Sequence, residues 1–171
     1  MSDINNSSTL ARRLRKELQG EVLFDNFNRG RYSTDASIYQ LMPIGVVLPK
    51  SDDDVEAAVK IAKEEGIPVL PRGSGTSQNG QAIGEALLID TTRHLNQIID
   101  FDRENQTACV QPGLVLDHLN RYLKPHGLFY PVDVSTANRA TLGGMTGNNS
   151  CGARSIRYGN MVHNDISIEA L

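Results

Sequence analysis

The chain has 171 residues, 39% of them hydrophobic and 22% charged, and 17 Lys and Arg against 20 Asp and Glu leave a net charge of −3. That length suits one domain or two small ones, and the composition excludes an intrinsically disordered chain. No apolar run reaches the ~18–20 residues of a membrane span, and a mildly acidic chain is a poor general nucleic-acid binder. Residues 1–9 are polar and lack the apolar core of an export signal, so the expected location is cytoplasmic.

Leu10, Leu14 and Leu18 recur at helical spacing among Arg12, Arg13, Arg15, Lys16 and Glu17, and predict an amphipathic helix laid on the surface and stopped by Gly20. Residues 25–43 show no period. Residues 43–49 then read as a short buried strand between two prolines. Ser51 caps a helix whose first turn is acidic; Val55, Ala58, Val59 and Ala62 form its stripe and Gly66 its C-terminal stop. Strands at 67–71 and 86–90 follow, separated by a polar loop. The order strand, helix, strand predicts a small βαβ-type layer.

Beyond residue 95 the texture changes. Residues 97–101 and 107–111 predict an antiparallel hairpin. Residues 114–124 return to helical spacing through Val115, Leu119, Tyr122 and Leu123, ended by Pro125 and Gly127. Short strands are expected at 128–130 and 165–171. A chain ending inside an apparent strand leads us to expect further sequence beyond it.

Cys109 and Cys151 have no CxxC spacing and read as reduced thiols in or near the core. The histidines at 94, 118, 126 and 163 make no ligand pattern, so no metal site is expected. His118 and His126 read as surface or packing residues.

Ten of the fifteen glycines fall in two windows, 66–84 and 143–159. Two such clusters suggest two loops gripping one extended ligand, against the plainer reading of two irregular turns. The first contains Arg72-Gly-Ser-Gly-Thr-Ser77. It has no Walker A lysine, lacks the glycine spacing and following helix of a dinucleotide fingerprint, and holds no Gly-x-Ser-x-Gly elbow. It reads as an anion cradle: backbone amides in glycine-rich turns, hydroxyls of Ser74, Thr76 and Ser77, and one Arg at the mouth.

Four motifs occur in order: Pro71-Arg-Gly-Ser-Gly-Thr-Ser77, Val110-Gln-Pro-Gly113, Ala140-Thr-Leu-Gly-Gly-Met-Thr-Gly-Asn-Asn-Ser-Cys-Gly152 and Arg157-Tyr-Gly159. From about residue 40 onward the series resembles the FAD-binding domain of the vanillyl-alcohol oxidase/p-cresol methylhydroxylase superfamily. Within it, the chain is similar to the FAD-linked D-lactate, glycolate and D-2-hydroxyglutarate dehydrogenases. Pro131-Val-Asp-Val-Ser135 and the second cluster look like large bacterial members that also carry an iron–sulfur region.

The resemblance implies an α+β fold of PCMH type: a small βαβ-type subdomain at 43–92 and a mixed or antiparallel subdomain at 93–171. Residues 1–39 would be a helical extension, and the domain would be truncated at its C-terminus. It implies that Arg72, Gly73, Ser74, Gly75, Thr76 and Ser77 form the pyrophosphate loop, and that Gln111, Pro112 and Gly113 lie near the flavin. Pro131, Asp133, Ser135, Thr141, Gly143, Gly144 and Asn148 would form a second wall, continued by Gly152, Tyr158 and Gly159. Some relatives tether the flavin through a histidine where Thr76 stands here, so FAD is expected to be held non-covalently.

The implied activity is oxidation of a 2-hydroxy acid by hydride transfer to FAD, with electrons passed on to an acceptor. The substrate cap, the catalytic base and any iron–sulfur cluster would belong to a longer parent protein, leaving this chain alone inactive. The alternatives are a non-catalytic flavin- or nucleotide-binding module and another flavoenzyme on this fold, such as a sugar-nucleotide enolpyruvyl reductase.

Overall fold

The computed structural model describes residues 2–170, with side chains from Thr9 onward, and the chain divides into two units after His94. The first is organised by two strands buried along their whole length, β2 (Gly45–Leu48) and β4 (Leu87–Asp90). The apolar runs at 46–48 and 87–89 within them are what a parallel sheet covered on both faces requires. The order is β1-β2-β4-β3, with β1 (Glu21–Leu23) antiparallel on β2, and with β4 parallel to both β2 and β3 (Val69–Arg72). The expected βαβ unit is present, but β4 enters between its two strands. Pro71 is tolerated because β3 lies at the edge of the sheet.

Side-chain alternation sends Val47, Leu87 and Ile89 to one face and Val46 and Leu88 to the other. Helices α1 (Ser2–Glu17) and α3 (Asp52–Glu64) cover the first face. Leu10, Leu14 and Leu18, expected on a surface helix, are buried in this core beside Val22, Ala58, Ile61 and Ala62. Each such leucine contributes about 2 kcal/mol of burial. Helix α1 and strand β1 thus contribute to the core and sheet of the first unit. Arg13 pairs with Glu64 and Glu65 at the end of α3.

At the start of α3, the Ser51 hydroxyl accepts the Asp54 amide at 3.2 Å, and the buried Asp54 carboxylate accepts the amides of Gln19 (2.8 Å) and Lys50 (2.9 Å). A short helix α2 (Asn26–Arg31), capped by Asp25, occupies part of the segment without a period.

In the second unit, β5 (Ile98–Asp102) and β6 (Thr107–Val110) form the expected hairpin. Its turn is fixed by Asp102, which accepts the amides of Glu104 (2.9 Å) and Asn105 (3.0 Å). Helix α4 (Leu116–Leu123) buries Leu116, Leu119 and Leu123, and a 3-10 turn at Lys124–His126 ends at Gly127 in the left-handed region (φ 73°).

Three expectations fail here. No strand forms at 128–130: the Leu128 amide returns to the Leu123 carbonyl (3.3 Å) and the Tyr130 amide to the Asn120 side chain (2.7 Å), so both donors serve α4. Residues 165–170 form no strand either, leaving Ile166 and Ile168 exposed; Leu171 lies outside the described residues. Both cysteines are exposed rather than in the core, Cys109 on an open face of the hairpin.

The second glycine cluster is largely helical, with α5 (Leu142–Gly147), α6 (Ser155–Tyr158) and α7 (Met161–Asn164). Leu142, Met145 and Met161 join Leu114, Leu116, Leu119, Leu123, Val132 and Ala140 in the core of this unit. No described helix is long and apolar enough to cross a membrane.

Candidate cofactor site

The first glycine loop leaves the C-terminal end of β3 and carries the chain to the start of β4, a parallel neighbour. A parallel crossover usually contains a helix; this one does not. Residues 73–80 belong to no helix or strand, so no strand ladder takes up their amides. Gly75 has φ +68°, a conformation that glycine adopts without strain.

Arg72 departs from its expected place at the mouth. Its guanidinium turns inward, Nη1 donating to the carbonyls of Ala82 (2.7 Å) and Tyr32 (3.4 Å) and Nη2 to that of Thr34 (2.8 Å). It lies 5.4 Å from the centre of the Tyr32 ring. Burial lowers its pKa, opposed by the charges of Asp90 and Asp35.

Around this group the segment before β2 closes onto the loop. The Ala36 amide donates to the Gly75 carbonyl at 3.0 Å. Asp35 accepts the amides of Ser37 (2.8 Å) and Ala82 (3.4 Å). Burial pulls its carboxyl upward, but these hydrogen bonds and the Arg72 charge outweigh it and hold the pKa below the ordinary aspartate value. The Tyr32 hydroxyl donates to Asp90 at 2.7 Å; burial first, then this bond, raises the phenol pKa. The Ser77 hydroxyl donates to Gln81 and accepts the Asn79 amide (3.2 Å).

Tyr32, Asp35 and Asp90 are participants that the sequence reading missed. The readable sign was Asp35 two residues before Ser37, the spacing of an Asx-turn.

In the second unit the expected residues fall into two groups. Gly143 lies on Pro112: its amide donates to the Pro112 carbonyl at 2.9 Å, and a Cβ there would stand 2.6 Å from that of Pro112. Thr141, buried at the start of α5, pairs with Val115, and Gly144 lies beside its hydroxyl. Gln111 is tied twice to Gln97, through its amide (2.9 Å) and its side-chain oxygen (3.0 Å), while the Gly113 amide donates to Leu95 (2.7 Å). Gln111, Pro112, Gly113, Thr141, Gly143 and Gly144 are thus brought together.

The second group joins Asp133 to Gly152, which passes so close that any Cβ would overlap the Asp133 carbonyl and carboxylate. Asp133 also accepts the Arg154 amide at 2.9 Å, with the guanidinium 3.5 Å away. Arg154 lies over Phe129 and Arg157 over Tyr158, each at 5.3 Å, and the two rings meet edge-to-face at 5.9 Å. Pro131 is half-buried, while Ser135 and Asn148 are exposed. Gly159 has φ +82° and packs on His163, whose Nδ1 accepts the Asn160 amide at 3.0 Å. His163 is thereby a helix cap. His126 packs on Phe101 (4.8 Å) and Tyr122 (6.0 Å), and His118 is exposed. Among the described residues no three His, Cys, Asp or Glu side chains group to hold a metal ion.

The donors of the first loop fit a pyrophosphate. Hydroxyls and loop amides follow the C-terminal end of a parallel strand, where open α/β sheets receive ligands. The cation beside them, Arg72, is spent on carbonyls.

The chain belongs to the FAD binding domain family, whose model matches residues 43–171. D-2-hydroxyglutarate dehydrogenase of Escherichia coli (strain K12) is 40% identical over 155 residues, 89% of this chain and 15% of that protein. Glycolate oxidase subunit GlcD of Bacillus subtilis (strain 168) is 40% identical over 147 residues, 84% of this chain and 31% of that protein. The chain therefore spans less than a third of the curated relatives named here. Among solved structures, alkyldihydroxyacetonephosphate synthase superposes with a TM-score of 0.80 at 25% identity, over 90% of this chain and 31% of the other. A p-cresol methylhydroxylase structure matches with a TM-score of 0.69 at 21% identity, covering 86% and 30% of the two chains, and shares the fold.

Proposed function

We propose that this chain is the FAD-holding portion of a flavin-dependent oxidoreductase that oxidises a D-2-hydroxy acid (2-hydroxyglutarate, lactate or glycolate) to the 2-oxo acid. The observation that carries the reading is 40% identity to a D-2-hydroxyglutarate dehydrogenase over 155 residues, 89% of this chain. Bound FAD supplies the two-electron acceptor for the hydride leaving the substrate Cα.

Gly73, Gly75 and the hydroxyls of Ser74 and Thr76 hold the pyrophosphate through neutral donors, with Ser77, whose hydroxyl proton goes to Gln81, contributing its backbone amide. Gln111, Pro112, Gly113, Pro131, Asp133, Ser135, Thr141, Gly143, Gly144, Asn148, Gly152, Tyr158 and Gly159 supply further contacts to the cofactor. Thr76 has no ring nitrogen, so the cofactor stays non-covalent. The base that takes the hydroxyl proton is assigned to no residue of this chain. The 2-hydroxy acid, the electron acceptor and a cytoplasmic location belong to the same proposal, as properties of the parent protein.

The test is a visible spectrum after incubation with FAD and desalting. We expect a retained, protein-perturbed flavin band, released on denaturation and abolished by Gly75→Arg. A folded chain that keeps no flavin, or a variant that keeps as much as wild type, contradicts the proposal.

A further inference from the structure

We infer that Arg72 is a positioning residue: by pinning residues 32–36 to the glycine loop it sets the conformation in which that loop takes up its ligand, without touching the ligand itself. The inference rests on the reading that the loop holds the FAD pyrophosphate, and adds what keeps the loop ready.

The geometry points one way. One planar group serves three carbonyls, two on the segment before β2 (Tyr32 at 3.4 Å and Thr34 at 2.8 Å) and one late in the loop (Ala82 at 2.7 Å). Two further bonds, Ala36 to Gly75 (3.0 Å) and Ala82 to Asp35 (3.4 Å), join the same two segments. Their anchor to the sheet is Tyr32, donating to Asp90 (2.7 Å), which is the register partner of Arg72 itself. Gly75 completes the arrangement, because a Cβ there would stand 2.5 Å from Nη2 of Arg72.

A lysine preserves the charge but carries a single nitrogen, and cannot reproduce a planar fork spread over three acceptors. An arginine that paired directly with phosphate would behave oppositely: lysine would replace it in part, and affinity would fall steeply with salt.

The experiment compares wild type, Arg72→Lys and Arg72→Met in two readouts: FAD titration by flavin fluorescence at low and high salt, and amide hydrogen exchange without FAD. If losing the latch leaves about a tenth of the loops competent, affinity falls about tenfold. We expect that loss in both variants alike, a shallow salt dependence in wild type, and faster exchange confined to residues 32–36 and 73–82. Rescue by Arg72→Lys with a steep salt dependence, or unchanged exchange in those segments, overturns the inference. Should Arg72→Met fail to fold, Asp35→Asn loosens the same two segments and serves in its place. If wild type binds no FAD, the proposed function fails, and the exchange data still decide for or against the latch.

Discussion

The two glycine clusters are alike in composition and unlike in what they do. In the first, Gly75 provides a left-handed turn in a loop without helix or strand, which Arg72 and Asp35 fasten to a neighbouring segment. In the second, Gly143 and Gly152 sit where one stretch of chain presses on another, against Pro112 and Asp133. The first set stands in a loop whose amides belong to no strand ladder; the second lets two stretches of chain close on one another. Glycine content therefore located both regions without distinguishing a loop outside any helix or strand from a packed corner.

That difference is most sharply tested at Gly152. Gly152→Ala forces a Cβ into the Asp133 carbonyl, and overpacking of this kind costs about 3 kcal/mol. We expect a large fall in the urea midpoint of the second unit, with the exchange protection of β4 untouched.

Gly75→Ala should cost less stability, about 1–2 kcal/mol for an L-residue in the left-handed region, because the atom it meets ends a flexible side chain. It should lower FAD affinity about tenfold by displacing the Arg72 latch, as fluorescence titration would show. A result in which Gly75→Ala destabilises more than Gly152→Ala would break the comparison.

The regions share one device, a half-buried phenol donating to a carboxylate: Tyr32 to Asp90 (2.7 Å) and Tyr130 to Asp165 (2.8 Å). Burial, then the carboxylate bond, raises both phenol pKa values. A raised folded-state value means full stability below the unfolded phenol pKa of about 10, and loss as pH rises from there toward the folded value. Thermal unfolding should therefore show a stability decline beginning near pH 10, made shallower in each Tyr→Phe variant. At neutral pH each variant should lose about 1.5 kcal/mol, the range of a hydrogen bond to a charged partner.

The smallest effect is expected at Gly147, in α5, where a Cβ would meet nothing within 4 Å. Gly147→Ala should raise stability by about 0.5 kcal/mol through helix propensity, measurable by urea denaturation. Destabilisation there would show that the second cluster has no slack.

Much of the fold was legible because it rests on local pattern. Ser51 followed by three aspartates announces α3, and the apolar runs of β2 and β4 announce a covered sheet. The reading failed where tertiary contact overrode pattern. Leu-Gly-Gly-Met-Thr-Gly looks like a loop, yet it is helical because Leu142 and Met145, three residues apart, reach the same core. Alternation at 165–170 looks like a strand, yet no described strand pairs with it. Within the candidate site, the first loop was legible as a glycine- and hydroxyl-rich segment between two strands. The inward turn of Arg72 was not, since its partners are backbone carbonyls at Tyr32, Thr34 and Ala82, and carbonyls leave no mark in a sequence.

The most direct measurement is amide hydrogen exchange of the wild-type chain with and without saturating FAD. The account predicts that FAD protects the amides of residues 73–77, which no ladder protects in its absence. Protection confined to other segments, with residues 73–77 exchanging at the same rate in both samples, would contradict it.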